Sequence, residues 1–176
     1  MTISMYQVSV PVFANVLGNM SVILDKAAAH AAAAKIDESV FVNARLAPDM
    51  FALARQVQIA TDIVKGGAAR LAGVEVPRWE DNEASFAELQ ARIARAITFV
   101  QGFSADQIDG SEARDIDFRL AGREVHFTGL RYLLDFVLPN LYFHASTTYA
   151  ILRHNGVEIG KMDFLGAAGL GDAPRD

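Results

Sequence analysis

Residues 139–164 read PNLYFHASTTYAILRHNGVEIGKMDF, and this stretch decides the fold class. It sets Asn140 and His144 four residues apart, which is about one turn of an α-helix. The run closes with LRHNGV at residues 152–157, a basic last turn followed by a glycine, which is typical of a helix end. The segment therefore predicts a helix that carries a polar pair one turn apart and stops near His154.

The same helix extends towards the N-terminus, so that we predict it over residues 128–154. Pro139 lies inside this pattern, where a proline removes one backbone donor and leaves the carbonyl of Asp135 without its usual partner. We therefore expect a kink or a break. One side of the helix is apolar and carries Leu130, Leu134, Val137, Leu141, Thr148, Ile151 and Leu152.

Two further long helices are predicted in the first half of the chain. The first spans about residues 4–34, where Pro11 indicates either a kink or a later start. The second begins near Pro48, a residue that suits the first turn of a helix, and ends at Gly73.

A fourth long helix and a hairpin complete the prediction. Ser85 and Glu88 have the spacing of a capping box, and the helix that follows ends at Gly102. Apolar and polar residues then alternate over 116–127, which predicts a small β-hairpin. The Gly- and Ala-rich tail after Leu165 is predicted to be loose. These elements predict an all-α four-helix bundle with a small hairpin before the last long helix.

Length and composition limit the class of protein. The 176 residues suit a single domain over 1–176, and 52% hydrophobic with 21% charged residues is the composition of a globular protein. The net charge of −5, without a local Lys/Arg cluster, argues against nucleic-acid binding. The chain has no cysteine, which excludes disulfides, thiolate nucleophiles and Cys-ligated metals on this chain.

The N-terminal part bears on localisation. Residues 6–24 are uncharged and about long enough to span a membrane, but Gln7, Pro11, Asn15 and Asn19 interrupt them. Their apolar residues follow helical spacing, so we interpret the segment as a core helix. The start of the chain lacks the features of a signal peptide. We expect a soluble cytoplasmic protein without a membrane partner.

His144 is the main candidate for a functional residue, because it lies on the apolar side of the last helix with Asn140 one turn before it. This geometry suits a metal ligand. It equally suits a core histidine that is hydrogen-bonded to a neighbour, since leaving a buried polar group unpaired costs about 1–3 kcal/mol.

The chain resembles the DUF1993 family, a bacterial family of unknown function within the DinB/YfiT-like superfamily of four-helix bundles. The resemblance covers nearly the whole chain. It is carried by the runs LPNLYFH at 138–144 and LRHNGV at 152–157, by Gly160, Lys161, Asp163 and Phe164, and by residues 54–62 with Glu88, Leu89, Arg92 and Ile93.

The resemblance implies a metal site, because three histidines of the superfamily hold a divalent metal such as nickel or zinc. In this sequence His144 stands at one ligand position, while Asn140 and Gln56 stand at the other two. Amide oxygens are poor ligands for nickel and zinc. Three interpretations stay open: a metal-free pocket lined by Gln56, Asn140 and His144, a rearranged site that recruits Asp62 or His126, and a structural hydrogen-bond cluster.

Other polar residues are assigned provisional roles. Tyr142 and Thr148 are expected to complete the pocket around His144, and a tyrosine hydroxyl there could move a proton. His126 is predicted to be solvated on the hairpin, and Asp62 to pair with Lys65 or Arg55 on a helix surface. His154 is predicted to cap the last turn of its helix.

Three functions are consistent with this sequence. The first is a pocket between the second and fourth long helices that binds a small molecule or a partner. The second, implied by the superfamily, is a transferase or isomerase that uses a divalent metal and an external thiol. The third is a structural homodimer formed through apolar helix faces.

Overall fold

The computed structural model of the chain describes residues 3–167. Most of these residues are helical, and a single hairpin is the sheet found among them. The helices are α1 (Val10–Ala34), α2 (Glu38–Val42), α3 (Leu53–Ala72), α4 (Phe86–Gln101), α5 (Ala105–Ile108), α6 (Gly129–Arg131), α7 (Leu138–His154) and α8 (Lys161–Leu165). The strands are β1 (Asp115–Leu120) and β2 (Arg123–Thr128), and a π-helical segment spans Tyr132–Val137.

Four long helices surround the core of the described residues. Helix α1 packs against α4 and α7, and α3 packs against the same two helices. The core therefore lies between them, and its largest fully buried side chains are Tyr132, Phe13, Phe41 and Phe86. This arrangement confirms the predicted helical class, and it places α3 and α7 side by side at the positions where site residues were predicted.

The predicted ends of the helices are confirmed in several places. Helix α3 ends at Gly73, which takes the left-handed conformation with φ 72°. Ser85 caps α4, since its hydroxyl accepts a hydrogen bond from the backbone N–H of Glu88. Helix α1 begins at Val10 with Pro11 in its first turn, which is the later start that the proline allowed.

The start of α3 was predicted too early. The helix begins at Leu53 rather than near Pro48, because the preceding residues form a loop with its own hydrogen bonds. Arg45 donates to the carbonyls of Pro48 and Met50, and the N–H of Leu53 donates to the carbonyl of Ala44.

The hairpin forms where it was predicted, with Ile116 opposite Phe127 and Phe118 opposite Val125. The interruption expected at Pro139 takes the form of the π-helical segment that joins α6 to α7. The amide of Asn140 donates to the carbonyl of Phe136 at 2.7 Å, so a side chain supplies a donor beside the interruption.

Two predictions concern the ends of the chain and membrane spanning. Helix α8 ends at Leu165, directly before the tail that was predicted to be loose, and the residues of this tail from 168 onwards lie outside the described part. Within residues 3–167, no helix combines the length and apolar character that crossing a membrane requires.

Candidate functional site

Gln56 of α3 and His144 of α7 meet in the interior between their helices. The Oε1 atom of Gln56 lies 2.7 Å from Nδ1 of His144, and both residues are buried. The Gln56 amide nitrogen donates to the carbonyl of Phe51 at 3.0 Å, which fixes the orientation of the amide. Because a carbonyl oxygen only accepts, the Nδ1 atom of His144 carries the proton.

His144 is held in its neutral form. Burial lowers the pKa of His144 below its ordinary value, and the nearby charge of Arg55 lowers it further. Nδ1 is occupied by Gln56, and no hydrogen-bond partner for Nε2 is found among residues 3–167. A neutral imidazole with Nε2 as its remaining acceptor is therefore what this position offers.

The other residues of the predicted pocket do not join this pair. The amide nitrogen of Asn140 donates to the carbonyl of Phe136 in the π-helical segment and not to His144 or Gln56. The hydroxyl of Thr148 is fully buried and donates to the carbonyl of His144 at 2.9 Å. Tyr142 is 43% exposed on the outside of α7. The structure thus brings together Gln56 and His144 alone of the five predicted residues.

The donor set does not fit the three-histidine metal site that the resemblance implies. The amide oxygen of Gln56 is taken by the imidazole N–H, and an amide stands at residue 140 in place of a second imidazole. Asp62, the alternative ligand, is bound by Lys65 at 2.6 Å, which confirms the predicted pairing. In the described part of the chain, no three His, Cys, Asp or Glu side chains cluster as metal ligands.

His126, the other alternative ligand, lies on the exposed face of the hairpin. Its Nδ1 atom is 2.8 Å from Asp117, and its Nε2 atom is 3.6 Å from Asp115. The hydrogen bond to Asp117 raises the pKa of His126 above its ordinary value. His154 lies in the exposed last turn of α7, where it was predicted.

A buried arginine organises one side of α3, and no structural role was predicted for it from the sequence. The side chain of Arg92, in α4, is 2% exposed and contacts three carboxylates: Asp62 at 3.0 Å, Asp81 at 2.9 Å and Glu83 at 2.9 Å. Its Nε atom donates to the hydroxyl of Thr61 at 2.8 Å. Arg92 therefore ties α3 and α4 to the loop that connects them.

Trp79 in the same loop is surrounded by cations. The Nζ atom of Lys65 lies 4.4 Å from the centre of its ring, and the guanidinium of Arg95 lies 4.3 Å from it. Such contacts stabilise by about 0.5–1 kcal/mol where they are exposed and by more where they are desolvated. They add to the bonds of Arg92 in holding this loop.

A cavity of about 380 Å³ opens between α3, the end of β1 and the π-helical segment. Its aromatic wall consists of Phe118 from β1 with Tyr132 and Phe136 from the π-helical segment. The rings of Tyr132 and Phe136 are stacked, with centres 5.6 Å apart and planes 15° from parallel. The remaining apolar lining comes from Ile59, Ile63 and Leu120.

Four charged residues complete the lining of this cavity: Arg55, Asp62, Arg70 and Arg119. Arg70 donates from Nη1 to the hydroxyl of Tyr132 at 3.0 Å, and its guanidinium lies 4.5 Å from the centre of the Phe118 ring. Burial raises the pKa of Tyr132, and the charge of Arg70 opposes this effect. Tyr132 is therefore a neutral phenol at physiological pH.

Gly66 allows Arg70 to take this position. A Cβ atom at residue 66 would lie 2.5 Å from Nη1 of Arg70, so the guanidinium folds over a part of α3 that carries no side chain. Gly66, the first of two adjacent glycines in this helix, thus makes room for a cavity residue.

A comparison with protein families identifies the chain. The family described as Domain of unknown function (DUF1993) matches residues 5–165. The chain belongs to this family. The resemblance stated from the sequence is therefore confirmed for DUF1993.

A solved structure is similar to this DUF1993 protein over almost its whole length. It is the crystal structure of a DinB family member protein from Shewanella denitrificans, with 44% sequence identity and a TM-score of 0.86. The match covers 96% of this chain and 95% of that chain. A comparison with curated proteins finds no match.

Proposed function

We propose that this DUF1993 protein is a DinB-like four-helix bundle that binds a small organic molecule in the cavity between α3, β1 and the π-helical segment. The observation that carries the proposal is the cavity itself. Its volume of about 380 Å³ lies within the range of roughly 300–1,000 Å³ that is usual for ligand sites. Three elements contribute its lining, and the lining mixes aromatic, aliphatic and charged groups, as ligand sites do.

The π-helical segment supports the proposal. π-helical turns are rare and occur frequently at functional sites. Here the segment supplies Tyr132 and Phe136 to the aromatic wall of the cavity. The interruption at Pro139 thus lies beside the proposed site rather than in an unrelated part of the helix.

The pair of Gln56 and His144 supports a structural role better than catalysis. Both polar atoms of the Gln56 amide are used, one by Nδ1 of His144 and one by the carbonyl of Phe51. Such a cluster fixes α3 against α7, the two helices from which the superfamily builds its site. The thiol-dependent enzyme needs a ligand set that these side chains do not supply.

The experiment is a thermal-shift screen of a fragment library against the wild type and two tryptophan variants. A fragment at ten times its Kd stabilises the folded state by about 1.4 kcal/mol, which raises Tm by roughly 3–6 °C in a chain of this length. Ile63→Trp places a large side chain at the cavity and is expected to abolish the shift. Ile97→Trp, at a half-buried isoleucine of α4, is the matched control and is expected to retain it.

Two results would contradict the proposal. One is the absence of any stabilising fragment for the folded wild type. The other is a set of fragments that stabilise Ile63→Trp as strongly as Ile97→Trp, because those fragments would then bind away from the cavity.

A homodimer is a second candidate, and one observation favours it. Four large apolar side chains of α6, the π-helical segment and α7 are at least 40% exposed: Leu130, Leu134, Tyr142 and Phe143. Exposed apolar side chains of this size are common in interfaces. Light scattering at micromolar concentration tests this candidate: a dimer mass for the wild type that becomes a monomer mass in Phe143→Glu supports it, and a monomeric wild type rejects it.

A further inference from the structure

The proposed ligand cavity concentrates positive charge in an acidic chain. The chain carries a net charge of −5, yet the lining of the cavity includes three arginines and one carboxylate, that of Asp62. Low-dielectric walls strengthen the field of such a group of charges. The cavity therefore attracts anions although the chain as a whole does not.

The single carboxylate is already neutralised by residues outside the cavity. The Oδ1 atom of Asp62 lies 2.6 Å from Nζ of Lys65 and 3.0 Å from Nη2 of Arg92. Both cations are almost fully buried and neither lines the cavity. Asp62 is thus held by its own partners, and it does not compensate Arg70.

Arg70 is the arginine best placed to hold an anion. Arg70 takes part in none of the ion pairs formed within residues 3–167, and its Nη1 atom donates to the neutral phenol of Tyr132. A guanidinium has five N–H donors. Its plane is held against Phe118 and Tyr132, so the side chain is ordered before a ligand arrives.

The other two arginines of the cavity differ in how strongly other residues of the chain already bind them. Arg55 forms an ion pair with Asp81 of the loop between α3 and α4. Arg119 is exposed at the end of β1, where its Nη2 atom reaches the carbonyl of Gly122 at 3.4 Å. Glu124 lies opposite Arg119 in the hairpin register, so Arg119 is a weaker second contact for an anion than Arg70.

The aromatic wall indicates the rest of the ligand. The rings of Tyr132 and Phe136 are nearly parallel, and the ring of Phe118 meets that of Phe136 at 61° with centres 5.3 Å apart. Aromatic groups pack best against such walls in stacked or edge-to-face arrangements. A flat ring is the shape that this wall complements.

We propose that the cavity between α3, β1 and the π-helical segment binds an aromatic carboxylic acid as its anion. The carboxylate contacts Arg70 and Arg119, and the ring packs against the three aromatic side chains. This inference rests on the proposed function, because it names the class of ligand for the same cavity.

The experiment compares two probes of almost equal shape by isothermal titration. 2-Naphthoate carries the carboxylate, and 2-naphthamide replaces it with a neutral amide. We expect 2-naphthoate to bind about tenfold tighter or more, since hydrogen bonds to charged groups are the stronger class. We also expect its affinity to fall with salt.

Variants assign the effect to the cavity. Arg70→Met keeps the stem of the side chain, removes the charge and is expected to reduce the preference for naphthoate by about tenfold. Arg119→Met changes an exposed residue and is expected to weaken naphthoate binding with naphthamide binding unchanged. Arg95→Met is the matched control, because Arg95 also lies on an aromatic ring but lines other cavities.

The outcomes separate this inference from the proposed function. Equal affinity for the two probes, or equal loss in Arg95→Met and Arg119→Met, overturns the aromatic carboxylate. Binding of neither probe, while other fragments still stabilise the wild type and not Ile63→Trp, overturns this inference alone. If no fragment of any class binds, both proposals fail.

Discussion

Alanine substitution at the adjacent glycines of α3 is expected to have different effects on stability. A Cβ atom at residue 67 would lie 2.9 Å from Cγ1 of Val137 and 3.5 Å from the ring of Phe13, both fully buried. Val137 is β-branched and packed, so it has little room to move. At Gly66 the nearest atom is instead the end of the flexible Arg70 side chain, at 2.5 Å.

The magnitudes follow from these neighbours. In a helix, alanine is more favourable than glycine by about 1 kcal/mol. For Gly67→Ala this gain opposes an overpacking term of about 2–3 kcal/mol, the upper part of the usual range because Val137 has little room to move, so the net effect is a loss of about 1–2 kcal/mol. For Gly66→Ala the gain is offset by one hydrogen bond, Arg70 to Tyr132, of about 1 kcal/mol, and the net effect is near zero.

Urea unfolding of the two variants, with thermal unfolding beside it, measures the difference. Gly67→Ala is expected to be about 1–2 kcal/mol less stable than Gly66→Ala, or roughly 2–8 °C lower in Tm. The double variant Gly67→Ala/Val137→Ala is expected to lose less than the sum of the single losses, because the clash is then removed. A Gly67→Ala protein as stable as Gly66→Ala would refute the close packing of α3 against the π-helical segment.

Four further outcomes are expected. Arg92→Leu should lower the free energy of unfolding by about 2–4 kcal/mol, which is less than for a fully buried ion pair because the carboxylate partners are partly exposed. A loss under about 1 kcal/mol in urea unfolding would contradict the ion-pair network. Gln56→Leu should lose about 1–3 kcal/mol, since it leaves the buried Nδ1–H of His144 unpaired; unchanged stability would show that the bond is not formed. The pKa of His144 is lower in the folded state, so the unfolded state binds more protons in acid and the free energy of unfolding should fall as the pH drops below about 6.5. His144→Gln should flatten this fall between pH 7 and 5, and an identical pH profile would contradict a buried neutral His144. After zinc or nickel loading, elemental mass spectrometry should find about one metal per chain in Gln56→His/Asn140→His and none in the wild type. Stoichiometric metal in the wild type that is lost in His144→Ala would show that the natural residues form a metal site.

The helices could be predicted where local signals define them. Ser85 and Gly73 mark their helix ends by side-chain capping and by a left-handed conformation, both of which a sequence reveals. The start of α3 could not be predicted in the same way. Pro48 suits a first helical turn, but Arg45 satisfies the loop carbonyls there, and this choice depends on contacts that sequence spacing does not encode.

The candidate site could be predicted only in part. The resemblance predicted that Gln56 and His144 belong to one site, and in the structure a hydrogen bond joins them. The cavity between α3, β1 and the π-helical segment was missed because Arg70 and Tyr132 meet across 62 residues of chain. One signal was present: a glycine four residues before an arginine on the same helix leaves space for a guanidinium to fold back.

The most direct test of ligand binding in the cavity is an amide NMR titration of the ¹⁵N-labelled protein with the best stabilising fragment. We expect the largest shift changes in residues 59–70 of α3, at the end of β1 and in the π-helical segment over 132–136. Changes confined to the loop around Trp79, or spread over the surface without a cluster, would contradict binding in this cavity.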